Sequence, residues 1–147
     1  MNAQELVAEL GVKLGISLEL SETGTCRVHF DDDDVDFEQA GNALYIMADI
    51  ASAAGREDIC GRLLAANNLG AESGGACIGL DVGRNTFTMH TVFRGGANYE
   101  DFEAELTLFI KALRYWKEWI ALSISSAPAA SAAGTDDPSF AMGMLRI

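Results

Sequence analysis

Cysteine and histidine are the residue types in this chain that could act as nucleophile, general base or metal ligand. There are three cysteines and two histidines: Cys26, Cys60, Cys77, His29 and His90. Nucleophilic catalysis needs a cysteine or serine beside a histidine that an acid orients. Both histidines occupy polar positions of alternating segments, whereas Cys26 and Cys77 occupy apolar positions, as small core residues do. No two of these residues lie at the spacing of a zinc finger. The pattern favours no catalytic residue and no metal, and an enzyme that pairs Cys60 or Cys77 with a histidine stays an open alternative.

A run of aspartates, Asp31–Asp34 followed by Asp36, has the charge that a calcium loop needs. An EF-hand loop that began at Asp31 would require glycine at its sixth position and glutamate at its twelfth. The chain has Asp36 and Asn42 there. Because mutual repulsion disfavours such a run inside a sheet, we predict a solvated turn over Asp31–Asp34. The glycines between positions 70 and 83 match neither a P-loop nor a dinucleotide-binding fingerprint, so we predict no cofactor.

The overall charge excludes several classes of partner. The formal net charge is −12 at pH 7, from 22 acidic and 10 basic residues among 147. Such a surface repels phosphate backbones and anionic lipid headgroups, so we predict neither a nucleic-acid nor a membrane partner. An odd number of cysteines without a C-x-x-C spacing argues against a disulfide framework. Residues 1–14 lack the pattern of a signal peptide, and a cytoplasmic location is therefore expected.

The spacing of apolar residues predicts the elements that position these side chains. Helical spacing recurs over residues 3–14, 59–67 and 102–123, and Asn98 is a suitable N-cap for the third helix. Alternation of apolar and polar residues predicts strands over 16–20, 26–30, 35–37, 76–80 and 86–93. The more continuous apolar run Ala43–Ile50 predicts a central strand covered on both faces. Gly41-Asn42 predicts a hairpin turn before it.

These elements define an α+β fold with an antiparallel sheet and three helices. A hydrophobic content of 49% is enough for one folded domain, which we place at residues 1–124. Residues 125–147 begin with an Ala/Ser/Pro-rich stretch, and we predict a flexible tail that ends in the apolar tip Phe140–Ile147.

The second helix has an apolar stripe, Ile59, Leu63 and Leu64, beside small residues such as Ala65 and Ala66. Small residues permit close approach of another element. Two interpretations stay open: the stripe packs on the sheet of its own chain, or the helix meets its copy across a two-fold axis.

The order of elements and the segment Leu63–Gly70 resemble the type III secretion chaperones of the Tir-chaperone (CesT-like) class. The resemblance covers residues 1–124. It rests on the ending of the first helix, Leu10–Gly15, on the second-helix ending Leu63-Leu64-Ala65-Ala66-Asn67, and on the strands at 26–30, 35–37, 43–50 and 78–93. It implies the element order α-β-β-β-α-β-β-α and a homodimer in the cytoplasm of a Gram-negative bacterium. The dimer would bind the N-terminal, non-globular segment of a secreted effector in extended form and keep it soluble and ready for export.

For binding of that partner we predict the first helix and the strands beside it, through Leu6, Leu10, Leu14, Leu18, Val28 and Phe30. For the dimer interface we predict Ile59, Leu63 and Leu64. The competing hypothesis is an acidic protein-binding regulatory module unrelated to secretion, whose binding would depend on charge and weaken with salt.

Overall fold

The computed structural model describes residues 1–94 and 98–125. Over these residues three α-helices and five strands alternate in the order α-β-β-β-α-β-β-α. They are α1 (Ala3–Leu14), β1 (Thr25–Phe30), β2 (Asp33–Ala40), β3 (Ala43–Ser52), α2 (Cys60–Asn67), β4 (Cys77–Asp81), β5 (Thr86–Arg94) and α3 (Tyr99–Ser125). Short 3₁₀ turns flank α2 at Glu57–Ile59 and Asn68–Gly70. The predicted fold class is confirmed. The predicted tail beyond Ser125 lies outside the described residues.

The five strands form one antiparallel sheet with the spatial order β1-β2-β3-β5-β4. Strand β3 is central, as predicted, and pairs with β2 through the hairpin at Gly41-Asn42 and with β5 on its other side. Since β1 and β4 are the outer strands, each has one side without a neighbouring strand in the part of the chain that the structure describes.

Local signals in the sequence begin and end the helices. The Asn2 side chain accepts a hydrogen bond from the Glu5 backbone N–H at 2.9 Å, and the Glu5 carboxylate accepts one from the Asn2 N–H at 2.8 Å. This reciprocal capping box begins α1, and Gly15, with φ of 72°, ends it. The Asn98 side chain accepts from the Asp101 N–H at 2.9 Å, which confirms the predicted N-cap of α3.

The core lies between the helices and one face of the sheet. The apolar face of α3 is buried along its length, and it packs on the inward residues of β2, β3 and β5. The largest fully buried side chains include Trp116, Phe37, Phe102, Phe109, Leu6 and Leu44. The other sheet face is polar at its margins, where Arg27 pairs with Asp36 and Arg84 pairs with Asp49. Tyr45 and Met47 of β3 are only half-buried and Asp49 is exposed, so the prediction that β3 is covered on both faces is wrong.

The segment predicted as a strand at 16–20 pairs with no strand in residues 1–94 and 98–125. It folds back on α1 instead, where the Ile16 N–H donates to the Gly11 carbonyl at 2.9 Å. The Leu20 N–H donates to the Gln4 side chain at 3.3 Å. A Cβ at Gly11 would lie 2.8 Å from the Ile16 carbonyl oxygen, so the close approach requires glycine. Leu18 and Leu20 alternate with polar residues because they pack on α1, not because the segment pairs with a strand of the sheet.

The predicted turn at Asp31–Asp34 is correct only for its first two residues. Asp33 and Asp34 belong to β2, and Asp33 is buried with 5% of its surface exposed. Repulsion between Asp33 and Asp34 is overcome because they have different partners: Asp34 lies against His29 on β1, and Asp33 binds cations of α3. Arg114 and Lys117 of α3 bind Asp33 at 2.7 and 2.8 Å.

Candidate functional site

Among the described residues, the cysteines and histidines form no Cys–His–acid triad. Burial, followed by the nearby negative charge of Asp36, raises the pKa of the half-buried Cys26 thiol and keeps it protonated. The β4–β5 register places Cys77 directly opposite His90, and both are exposed. Within residues 1–94 and 98–125, however, no acidic side chain bonds His90, so the group that would orient a base is missing. His29 Nδ1 lies 2.5 Å from an Asp34 carboxylate oxygen on the neighbouring strand.

The part of the chain that the structure describes has no cluster of three or more His, Cys, Asp or Glu side chains suited to a metal ion. The two tryptophans of α3 do not form an open cage either. Trp116 is fully buried and donates from its indole nitrogen to the Glu72 carbonyl at 2.9 Å. The Arg62 guanidinium lies 5.0 Å from the Trp116 ring centre and 6.0 Å from that of Trp119, where a ligand cation would otherwise sit.

The residues predicted to bind a partner divide into two groups. Leu6, Leu10 and Val28 are buried in the core of the single chain, with 1%, 4% and 2% exposure. Such side chains offer almost no surface to another molecule. The others reach the surface around the end of α1 and the edge strand β1: Leu14 is 43% exposed, and Leu18 and Phe30 are half-buried against the core. Sequence spacing could not separate the groups, because both follow the same apolar period.

Among the described residues, the outer edge of β1, the strand that contains Phe30, has open main-chain groups. Ser21 accounts for the outward groups of Thr25: its N–H donates to the Thr25 carbonyl at 2.8 Å, and its hydroxyl accepts from the Thr25 N–H at 3.1 Å. Main-chain groups alternate in direction along a strand, so those of Arg27 and His29 point outward too. Apart from a 3.9 Å approach of the Cys26 sulfur to the Arg27 carbonyl, no bond to them occurs among the described residues.

The residues predicted for the dimer interface also differ in exposure. Ile59 and Leu63 are buried, each with 4% exposure, whereas Leu64 is 70% exposed. Leu63 and Leu64 line an apolar groove of about 200 Å³ between α2 and β4. The remaining lining residues are Cys60, Ile78, Gly79, Leu80 and Phe87. Leu80, an apolar position of the alternating segment predicted as a strand at 76–80, is 47% exposed on the groove, since β4 has no outer neighbouring strand among the described residues.

The fold and these surfaces define a class of protein. A helix-covered sheet with an apolar groove at one edge and open main-chain groups at the other is suited to hold polypeptide, since an edge supplies hydrogen bonds and apolar pockets supply selectivity. The chain belongs to the Tir chaperone protein (CesT) family, whose model matches residues 5–117. This is the family that the segment Leu63–Gly70 and the order of elements resemble, and that prediction is confirmed. A comparison with curated protein sequences gives no match.

Solved structures of type III secretion chaperones share the fold. The ExsC–ExsE complex matches with a TM-score of 0.66 and 22% identity, covering 80% of this chain and 96% of that chain. The HopA1–SchA chaperone–effector complex matches with a TM-score of 0.65 and 19% identity, covering 78% of this chain and 91% of that chain. The Yersinia pestis type III secretion chaperone SycH, in complex with a fragment of YscM2, matches with a TM-score of 0.61 and 17% identity. This match covers 77% of this chain and 98% of that chain. None of the helices in residues 1–94 and 98–125 has the length and apolar character that a membrane span requires.

Proposed function

We propose that this chain is a type III secretion chaperone that binds the N-terminal, non-globular segment of a secreted effector and keeps it soluble and competent for export. Membership of the CesT family and the chaperone–effector complexes among its structural neighbours support this role. The role implies a location in the cytoplasm of a Gram-negative bacterium. It needs no catalytic chemistry and no cofactor.

The observation that carries the proposal is the open edge of β1 beside exposed apolar surface. An extended client segment could bond the outward groups of Arg27 and His29 and place alternate side chains toward Leu14, Leu18 and Phe30. Ordering such a segment costs about 2–5 kcal/mol, so a large apolar contact is required beyond the edge itself. The net charge of −12 would keep the loaded chaperone soluble.

We further propose that the active form is a homodimer in which the groove between α2 and β4 meets its copy. Leu64 and Leu80 are both exposed there, at 70% and 47%, and Val82 at 80% continues the apolar surface along the chain. Leu63 lines the groove but is buried, and Ile59 is buried and does not line it, so Leu64 and Leu80 would make most of the contact with the second copy.

Co-expression with candidate effectors tests the client site. We expect Leu14→Asp to abolish co-purification of a client that wild-type chaperone captures, while Leu108→Asp, a charge at a comparably exposed position on α3 (52% against 43% for Leu14), leaves capture intact. Leu10→Asp is unsuitable, because it would place a charge in the core. Unchanged capture by Leu14→Asp would refute this surface.

Salt separates the proposed role from the alternative of an acidic regulatory module. Screening at about 1 M salt reduces the Debye length to about 3 Å. Apolar wrapping survives that change, and binding driven by the net negative charge does not. Loss of the captured client in high salt would favour the regulatory module over the chaperone.

The dimer has its own test. Val12 on α1 and Leu64 on α2 have nearly equal exposure, 71% and 70%, so Val12→Asp is a matched control for Leu64→Asp. We expect Leu64→Asp to give a monomer by light scattering, and Val12→Asp to keep the wild-type mass. A Leu64→Asp variant of unchanged dimer mass would exclude the groove as the interface.

A further inference from the structure

The outer edge of β4 differs from that of β1 because side chains occupy its main-chain groups. The Asn67 amide nitrogen donates to the Ile78 carbonyl at 2.7 Å, and the Ile78 N–H donates to the Asn67 amide oxygen at 2.7 Å. One side chain therefore takes both outward main-chain groups of Ile78, the second residue of β4. An asparagine amide is the side chain suited to this, since it donates and accepts in the same plane as a peptide group does.

A second residue closes the beginning of the same edge. The Ala76 N–H donates to the Ser73 carbonyl at 3.1 Å, and the Ser73 hydroxyl donates to the Ala76 carbonyl. Ser73 is itself fully buried. By alternation from Ala76 and Ile78, the next outward groups are those of Leu80. Among the described residues, this leaves β4 with one residue whose outward groups have no bond, too few for a strand ladder.

The β1 edge shows the contrast within the same sheet. The long side chains of β1 lie across the neighbouring strand β2, where Arg27 binds Asp36 at 2.6 Å and His29 binds Asp34 at 2.5 Å. They do not cross the edge. Proteins commonly protect an unpaired edge by a charged side chain, a bulge or a covering element. Among the described residues, side chains and turns take the outward groups of Ala76 and Ile78 at the β4 edge, whereas at the β1 edge Ser21 takes those of Thr25 and leaves Arg27 and His29 open.

We propose that Asn67 closes the β4 edge against strand addition by a second copy of this chain. Copies can then meet at the α2–β4 groove through side chains only, not by joining their sheets, and strand addition is confined to β1. The closure of the edge rests on the hydrogen bonds of Asn67 and needs no client, while the side-chain contact of two copies at the groove rests on the proposed dimer.

The test replaces Asn67 by alanine, which opens the outward groups of Ile78 next to those of Leu80. We expect amide exchange at Ile78 to accelerate at least about tenfold in nuclear magnetic resonance measurements, which is the loss of about one hydrogen bond. We also expect the mass measured by light scattering to rise above that of wild type as concentration increases. Asn68→Ala is the matched control, since Asn68 is the adjacent, exposed asparagine, and it should change neither.

Two further variants distinguish edge pairing from loss of stability. The Asn67→Asp side chain can still accept a hydrogen bond from the Ile78 N–H but cannot donate one to the Ile78 carbonyl. The mass of this variant should therefore also rise above that of wild type. Adding Leu80→Pro to Asn67→Ala removes an outward N–H and blocks a ladder at a position where an edge strand tolerates proline. Because Leu80 also lies in the proposed dimer groove, Leu80→Pro alone is the reference, and the double variant should have the same mass as that single variant at every concentration. The proposal is overturned if Asn67→Ala keeps the wild-type mass at all concentrations, or if proline does not reverse its association.

Discussion

Replacing Asp33 by asparagine removes a buried negative charge that joins the β1–β2 hairpin to α3. Burial alone would raise the pKa of Asp33, but the hydrogen bonds from Lys117 and Arg114 outweigh it and hold the pKa below the ordinary value of 3.8. The ionised carboxylate is thus more stable in the folded chain than in the unfolded one. Asparagine keeps the shape of the side chain and loses that charge.

The cost follows from how far the partners are buried. Removing one member of a fully buried ion pair costs about 3–5 kcal/mol. Here the Arg114 and Lys117 side chains are 48% and 32% exposed, so water can reach both when the carboxylate is gone. Arg114 also keeps its bonds to Asp31 and to the Phe30 carbonyl. We therefore expect a loss of about 2 kcal/mol in the free energy of unfolding, and a drop in Tm of about 6–8 °C for a domain of this size.

The assay is chemical unfolding followed by the fluorescence of the buried Trp116, at one fixed protein concentration because association shifts apparent stability. Asp32→Asn is the matched control, since Asp32 is exposed on the same hairpin, and it should change stability by less than about 0.5 kcal/mol. A carboxylate with a lowered pKa stabilises the fold above the ordinary pKa and loses that contribution as pH falls through the lowered one. The deficit of Asp33→Asn should accordingly shrink below about pH 4. A deficit under about 0.5 kcal/mol at neutral pH, or one that persists in acid, would refute this reasoning.

Three further outcomes follow from the same structure. Gly74→Ala should lower the free energy of unfolding by about 1–3 kcal/mol, because Gly74 has a φ of +63° and a Cβ there would lie 2.9 Å from the Leu108 carbonyl oxygen. Gly61→Ala is the control: Gly61 lies in open space on α2, so alanine there should leave stability unchanged or raise it by up to about 1 kcal/mol. Thermal melts of the two variants check this difference. Cys26 should react with iodoacetamide more slowly than the exposed Cys77, because burial raises the pKa of the Cys26 thiol; mass spectrometry of partly alkylated protein gives the order, and faster reaction at Cys26 would contradict it. Arg27→Pro should weaken capture of an effector more than Arg27→Ala does, because proline also removes the outward N–H; equal capture by both variants in co-purification would show that this N–H is not used.

Much of the fold could be predicted because its signals are local. The capping residue Asn98, the turn at Gly41-Asn42 and the apolar period of α3 each specify their own element. Asp33 could not be placed, because its compensating cations Arg114 and Lys117 lie more than eighty residues further along the chain, at separations of 81 and 84. The segment at 16–20 alternates as a strand does, and only the close approach at Gly11 turns it onto α1.

The candidate site was less predictable than the fold for a physical reason. Apolar spacing identifies a helix face that avoids water, but it does not distinguish burial within one chain from burial against another. Leu10 and Leu14 belong to the same face of α1, yet their exposures are 4% and 43%. The contribution of Asn67 has no signal in the sequence, because its partner is the main chain of Ile78, whose side chain is not involved.

The two ends of the sheet offer different chemistry, and that difference bears on how two partners could bind at once. With the order β1-β2-β3-β5-β4, the two edges are four strand spacings apart, about 19 Å at about 4.8 Å each. A second copy at the α2–β4 groove meets apolar side chains and few unbonded main-chain groups. A client strand at β1 meets unbonded main-chain groups of Arg27 and His29. If both proposals hold, dimerisation leaves each β1 edge open, and client binding should not shift the monomer–dimer equilibrium. A client that splits the dimer would place both partners on the same surface and remove the basis for assigning them to opposite edges.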